Sequence, residues 1–257
     1  MSNKVSNSIS DGVNSVMGVA RITAIILVFL AAMPIALLLA VIPGRYHGAR
    51  WAGWLLTLVA RTFNRIFDLR FYCTDAPRLV RHRGLIFPNH SSYLDVVAMM
   101  TTAPTRWLAA IEVRNRPIIG QLASAAETVF VNRGNKSSRK DARDAVSRAL
   151  RTSPYPPIVI FPEGKLDPGV SLYPFRYGAF ELAIQNEVPF LPVALQYNRP
   201  EITTWFGGLR DEPLMKAVWR LARHRGRISV NVIVLDAMHP TTADSPEMLA
   251  IVTQRAI

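Results

Sequence analysis

The chain has 257 residues, half of them hydrophobic and 19% charged, which excludes an intrinsically disordered protein and suits one α/β domain with a small appendage. Thirty Lys and Arg against 18 Asp and Glu give a net charge of +12, pointing to anionic partners such as phosphorylated ligands, an acidic membrane face or nucleic acid. The single cysteine, Cys73, excludes an internal disulfide and reads as a strand residue without a chemical role.

Residues 1–19 are rich in Ser, Asn and Gly and read as a mobile tail that becomes helical near Val13. Over 22–42 an apolar run is interrupted only by Thr23 and Pro34. About 20 such residues cross a hydrocarbon core roughly 30 Å thick, so the run reads as a membrane helix. A cleaved signal peptide is the rival reading, but the run is longer than an h-region and no small-x-small site follows it. Lys4 and Arg21 precede the run, while Arg45, Arg50, Arg61 and Arg65 follow it. The positive-inside rule therefore places the C-terminal bulk in the cytoplasm, and the short chain suits a bacterial inner membrane. Pro34 also permits a bent, half-inserted hairpin. Next, Trp51, Trp54, Leu55, Leu58, Val59, Phe63, Ile66 and Phe67 recur at helical spacing with Arg61, Asn64 and Arg65 on another side. That pattern suits an interfacial helix, with a buried helix of the globular domain as the alternative.

After Asp68, β-like runs at 69–74, 84–87, 106–111, 128–131, 157–161, 189–196 and 228–235 alternate with helical stretches at 95–100, 117–126, 138–151, 177–186 and 214–224. Alternation of this kind implies an α/β fold: a mixed, largely buried sheet flanked by helices, preceded by the N-terminal membrane helix and the interfacial helix. Helix 138–151 has Ser137 or Ser138 as its expected cap and an apolar stripe of Ala145, Val146, Ala149 and Leu150. The resulting division is a tail (1–19), an anchor with its interfacial helix (20–68) and an α/β domain (69–257).

The stretch Phe87-Pro88-Asn89-His90-Ser91-Ser92-Tyr93-Leu94-Asp95 sets an imidazole and a carboxylate five positions apart at a strand-to-helix turn. On one continuous helix such positions diverge by about 140°, so the two meet only if His90 precedes the helix. With Ser92 as N-cap, Asp95 falls at N3 and its carboxylate reaches back toward the ring. The carboxylate would then fix the tautomer and leave the other nitrogen to take a proton from a hydroxyl. A capping box, Ser92-x-x-Asp95, with an incidental histidine beside it is the alternative.

Further along, Ile158-Val159-Ile160-Phe161-Pro162-Glu163-Gly164 puts a carboxylate and a flexible backbone at the carboxyl end of a strand, where α/β sheets place ligands. For Glu163 the alternative is a strand-end carboxylate paired with a lysine. Val129-Phe130-Val131-Asn132-Arg133 ends in a polar pair, with Arg133 either forking onto a phosphate or standing as a solvated loop cation. The two prolines of the run from Val188 to Leu195 suit an edge strand or a bulge.

Four blocks in this order, His90-x4-Asp95, Phe130-Val131-Asn132-Arg133, Phe161-Pro162-Glu163-Gly164 and Val188-Pro189 through Val193-Ala194, resemble the glycerolipid acyltransferase family of the lysophosphatidic acid acyltransferase type. The resemblance runs from about Arg83 to His239 and includes Phe175-Arg176-Tyr177-Gly178-Ala179-Phe180. Ile202-Thr203-Thr204-Trp205 and the 228–235 strand resemble the lysophosphatidylcholine acyltransferase branch. The family usually continues Phe-Pro-Glu-Gly with Thr or Ser, whereas Lys165-Leu166-Asp167 follows here, so a hydroxyl is lost and Lys165 is the candidate to supply charge to the same group.

This resemblance implies transfer of a fatty acyl group from a coenzyme A or acyl carrier protein thioester to the free hydroxyl of a membrane lysophospholipid, most simply 1-acyl-sn-glycerol-3-phosphate. Lysophosphatidylcholine and a lyso-ornithine lipid are the alternative acceptors. It implies no metal and no prosthetic group. His90 would be the base and Asp95 its partner, while Arg133, Glu163, Gly164 and Lys165 would position the acceptor's headgroup. The charge is then explained by an anionic membrane surface rather than nucleic acid, for which no aromatic-basic motif is present. A serine hydrolase using Ser91 or Ser92 is the rival enzyme class, without a Gly-x-Ser-x-Gly elbow to support it, and a non-enzymatic membrane-binding protein that exploits the positive charge is the rival outside enzymes.

Overall fold

The computed structural model of the protein describes residues 2–132, 136–166, 172–206 and 212–257. Helix α1 (Ser2–Val41) leads through a small antiparallel hairpin, β1 (Arg45–Tyr46) and β2 (Ala49–Arg50), into α2 (Trp51–Phe67). There follow β3 (Leu69–Cys73), α3 (Ala76–Arg81), β4 (Leu85–Pro88), α4 (Asp95–Thr102), β5 (Arg106–Ala110), α5 (Ile111–Arg114), α6 (Ile119–Ala125) and β6 (Val129–Val131). The chain continues with α7 (Lys136–Thr152), β7 (Ile158–Val159), α8 (Tyr177–Gln185), β8 (Phe190–Tyr197), α9 (Pro200–Thr203), α10 (Leu214–Arg223), β9 (Ile228–Val234) and α11 (Pro246–Ala256).

Seven strands form one sheet in the order β3-β9-β8-β4-β7-β5-β6. The five strands from β8 to β6 are parallel, whereas β9 runs antiparallel to β8 and carries β3 alongside it in parallel. The sheet is therefore mixed and buried on both faces, as alternating helices require. On one face Leu85, Phe87, Ile158 and Ile160 pack against Val146 and Leu150 of α7, Phe180 and Leu182 of α8, and Ala250 of α11. On the other, Ile86, Val159, Leu191 and Val193 pack against Leu79 of α3 and Ala98 and Met99 of α4. Helices α1 and α2 lie beyond this second layer, α2 against α4 and α1 against α2, α6 and α10.

Several expectations need correction. Regular helix replaces the tail expected over 1–19, because tertiary contacts override weak local propensity. Asp11 pairs with Arg223 at 3.1 Å, and Gly18 lies so close to Trp219 and Arg223 of α10 that a Cβ would stand 3.0 Å from each. Helix α2 buries Ala52, Leu56, Val59, Ala60 and Phe67 against the domain, as the alternative of a buried helix expects for that face, and leaves Trp51 and Leu58 exposed. Neither Ser137 nor Ser138 caps α7; both lie inside it, and the Ser138 hydroxyl accepts the N–H of Asn132 at 2.9 Å. The buried stripe of α7 is Ala142, Val146 and Leu150, set by spacing of four. Strand β8 is central rather than an edge strand, and the bulge is the alternative that holds: the pairing slips by one residue between Val193↔Val234 and Phe190↔Met238, beside Pro192. Leu235 still donates to the Pro192 carbonyl at 3.1 Å.

Candidate functional site

Strands β4 and β7 are hydrogen-bonded neighbours, so the His90 turn and the Phe161-Pro162-Glu163-Gly164 turn leave the sheet side by side at its carboxyl edge. Asn89 fixes the first of these. Its side chain accepts the N–H of Leu195 at 2.6 Å and donates to the Leu195 carbonyl at 3.1 Å, extending the β4–β8 ladder by a side chain where the main chain departs.

One residue later the His90 ring projects with 19% of its side chain exposed, while Asp95 is fully buried. His90 Nδ1 lies 2.9 Å from Asp95 Oδ2. An ionised carboxylate only accepts, so Nδ1 donates in this pair, and in the neutral tautomer that this contact favours Nε2 would carry the lone pair. The expected capping box forms only in half. Ser92 N–H donates to Asp95 Oδ2 at 2.8 Å, but the Ser92 hydroxyl accepts from Leu94 N–H and donates to the Thr203 carbonyl at 2.6 Å. Asp95 is consequently the first residue of α4 rather than its N3 position.

The second oxygen of Asp95 accepts the hydroxyl of Tyr197, the last residue of β8, at 2.6 Å. Burial, and then the neighbouring Asp95 charge, push the Tyr197 phenol well above its ordinary pKa, so it stays a protonated donor. The imidazole plane is held by Phe161, whose ring stacks on it at 3.8 Å and 14°. Phe161 in turn stacks on Trp107 at 5.9 Å.

Glu163 is only 1% exposed, and its carboxylate faces backbone rather than solvent. The N–H of His90 donates to Oε1 at 2.6 Å and that of Tyr173 donates to Oε2 at 3.1 Å. The structure therefore places Glu163 as a clamp behind the histidine turn, holding the main chain of His90 and Tyr173. Gly164 adopts φ +73° beneath Arg176, where a Cβ would meet Arg176 Nε at 2.8 Å; glycine is required by both conformation and space. Lys165 places its ammonium 3.7 Å from the centroid of the Tyr173 ring. Arg133 lies outside the described residues, as does Asp167.

Asn89, Phe161 and Tyr197 are the positioning groups that spacing did not single out. For Tyr197 the usable signal was its place at the carboxyl end of a strand paired with β4. Among the described residues no group of three or more His, Cys, Asp or Glu side chains is arranged to hold a metal ion.

Residues 70–196 match the family described as Acyltransferase. A lyso-ornithine lipid O-acyltransferase of Pseudomonas aeruginosa is 32% identical over 211 residues, covering 81% of this chain and 76% of that one. A 1-acyl-sn-glycerol-3-phosphate acyltransferase of Neisseria gonorrhoeae is 33% identical over 113 residues; the match spans 44% of each protein, so less than half of that relative's length is represented. The crystal structure of the 1-acyl-sn-glycerophosphate acyltransferase of Thermotoga maritima superposes with a TM-score of 0.67 at 15% identity, covering 97% of this chain and 94% of that one, and shares the fold.

Proposed function

We propose that this chain, which belongs to the acyltransferase family, moves a fatty acyl group from a coenzyme A or acyl carrier protein thioester to the free hydroxyl of a lyso-lipid in a membrane. The observation that carries this reading is the His90–Asp95 contact of 2.9 Å through Nδ1, with Nε2 making no hydrogen bond among the described residues.

In this mechanism His90 Nε2 takes the proton of the acceptor hydroxyl as the oxygen attacks the thioester carbonyl. Asp95 stabilises the imidazolium that forms, and Tyr197, Ser92, Glu163 and Phe161 hold the pair in place. The tetrahedral intermediate then collapses with cleavage of the C–S bond, and the imidazolium returns the proton to the departing thiolate. Within the turn, His90, Ser92 and Leu94 have their N–H groups engaged, which leaves the amides of Ser91 and Tyr93 for the oxyanion. Arg133 is proposed to meet the acceptor's headgroup. No metal or prosthetic group takes part.

The first acceptor proposed is 1-acyl-sn-glycerol-3-phosphate. A lyso-ornithine lipid is the second, supported by the relative of that name matching 81% of this chain. As for location, α1 contains the stretch Ser10–Val41, long and apolar enough to cross a membrane. It nevertheless packs on α10 near Gly18 and on α6 near Ala36. A helix standing across the bilayer would carry both elements into the hydrocarbon, so α1 is read as lying in one leaflet, the cytoplasmic leaflet of a bacterial inner membrane by the charge distribution.

The test is acyl transfer by detergent-purified protein from labelled acyl-CoA or acyl carrier protein to lysophosphatidate, lysophosphatidylcholine and lyso-ornithine lipid, with water competing. Product with a lyso-lipid, lowered about 10²–10⁴-fold by His90→Ala at unchanged Tm, is the expected result. Free fatty acid as the sole product would mean a hydrolase instead.

A further inference from the structure

The stretch Ile202-Thr203-Thr204-Trp205 supplies no reacting group to the mechanism above, yet it lies against the histidine turn. Thr203, fully buried, is the last residue of α9, and its carbonyl accepts the Ser92 hydroxyl at 2.6 Å. The N–H of the same Ser92 donates to Asp95 Oδ2, the oxygen that also meets His90 Nδ1. A single residue, Ser92, therefore separates Thr203 from the Asp95 carboxylate.

What holds Thr203 is less local. A one-turn helix such as α9 is marginal by itself, because it fixes several residues for few internal bonds, and its C-terminal carbonyls need donors from elsewhere. Arg220 of α10 supplies them. Its Nη2 donates to the Thr204 carbonyl and its Nε to that of Ile202 at 3.4 Å, one on either side of Thr203. Glu212 orients the guanidinium in turn: its carboxylate accepts Nη1 of Arg220 and the N–H of Phe206, the latter at 3.1 Å. All three nitrogens of Arg220 are thus engaged within the protein, which fits a positioning role rather than contact with substrate. Two carbonyls and a carboxylate around one planar group use the fork of arginine, which an ammonium reproduces only in part.

Helix α10 is itself mounted between the histidine turn and α1. On one side Tyr93 donates its hydroxyl to the Ala217 carbonyl at 3.2 Å, and Leu94 shares a buried cluster with Leu221 and Ala222. On the other, Arg21 of α1 donates to the carbonyls of Ala222 at 3.3 Å and His224 at 2.7 Å, and Ile25 of α1 joins the same cluster.

We propose that Arg220 is a positioning residue for the transfer reaction: it fixes the Thr203 carbonyl, which holds Ser92 and, through its N–H, the Asp95 carboxylate that orients His90. The proposal rests on the acyl-transfer reading and adds to it a residue remote from the reacting atoms. Because α10 also carries α1, the same linkage ties the histidine turn to the seat of the apolar helix.

The experiment compares wild type, Arg220→Lys, Arg220→Gln, Ser92→Ala and the double variant Ser92→Ala/Arg220→Gln by steady-state kinetics in mixed micelles. Hydrogen exchange over residues 90–95 is followed in parallel and needs no turnover. Arg220→Gln is expected to lower kcat about 10- to 100-fold, with the KM values for lyso-lipid and acyl-CoA within about twofold. Arg220→Lys, which keeps the charge, should fall between that variant and wild type. Ser92→Ala should lose a similar factor, and the double variant should lie no more than about twofold below the slower single one, because both changes cut one linkage. Exchange over 90–95 should quicken about tenfold or more in Arg220→Gln, while exchange over 190–197 stays as in wild type. Losses that multiply, a raised KM at full turnover, or unchanged exchange over 90–95 would each overturn the proposal. If Arg220→Gln does not fold, Arg220→Lys and its combination with Ser92→Ala are judged by the same criteria. Quickened exchange in the Arg220 variants of a protein that acylates no lyso-lipid would leave the linkage standing and remove the acyl-transfer reading.

Discussion

Tyr197 donates its phenol hydroxyl to the buried Asp95 carboxylate at 2.6 Å, reaching it from a strand end 102 residues further along the chain. Tyr197→Phe removes this donor and keeps the ring. Turnover should fall about tenfold with the lyso-lipid KM unchanged, and stability should fall by about 1 kcal/mol. Steady-state kinetics beside a melting curve checks this, and wild-type turnover in the variant would show that Asp95 is held without Tyr197.

Glu163 accepts the main-chain N–H of His90, so a positioning role and an acceptor-binding role for this residue predict different kinetics. Glu163→Gln keeps the shape but turns an NH₂ group toward one of two buried N–H donors, a loss of about 1–3 kcal/mol in chemical denaturation. A histidine displaced by about 1 Å loses on the order of 10² in turnover, while the lyso-lipid KM should not move. The reverse pattern, raised KM at full turnover, would put Glu163 on the acceptor.

His82 is buried, with Nε2 2.7 Å from the Leu85 carbonyl, and burial pushes its pKa below the ordinary histidine value of 6.5. An unfolded chain takes up the proton near 6.5, the folded one only at lower pH. The stabilising contribution is therefore complete above that value and is lost as pH falls through it. Thermal unfolding between about pH 5 and 8 should show stability declining on the acid side, with a smaller decline in His82→Gln.

Along α1, Leu27, Leu30, Leu38 and Val41 are all exposed and recur on one side of the helix. Replacing Leu27, Leu30 and Leu38 with Gln should move the protein from the membrane pellet to the soluble fraction, since each buried leucine contributes about 1.5–3 kcal/mol of apolar transfer. Acyl transfer to lyso-lipid in mixed micelles should persist. Retention in the membrane after all three changes would refute the one-leaflet placement of this face.

Much of this was legible in the chain itself. The alternation after Asp68 announced the α/β layers, and the five-residue spacing of His90 and Asp95 sufficed to require a turn before the helix. What spacing could not carry were contacts made by residues distant in sequence: Asn89 with Leu195, Tyr197 with Asp95, and Glu163 with the backbone of His90. The last of these joins residues 73 apart in sequence, which no local pattern reports. Local composition likewise misread residues 2–19, whose helix is held by Arg223 and Trp219 two hundred residues away. Short helices such as α3, α5 and α9 left no periodicity long enough to detect.

Strand β3 sits at the edge of the sheet and pairs with β9 alone, Leu69 opposite Ile228, about 160 residues later in the chain. During synthesis at roughly 5–20 residues per second, β3 therefore waits about 8–30 s for its partner while α1 and α2 are already outside the ribosome. The apolar N-terminal helices thus leave the ribosome well before the sheet can close, and on the proposed acyl-transfer reading folding would be completed at the membrane.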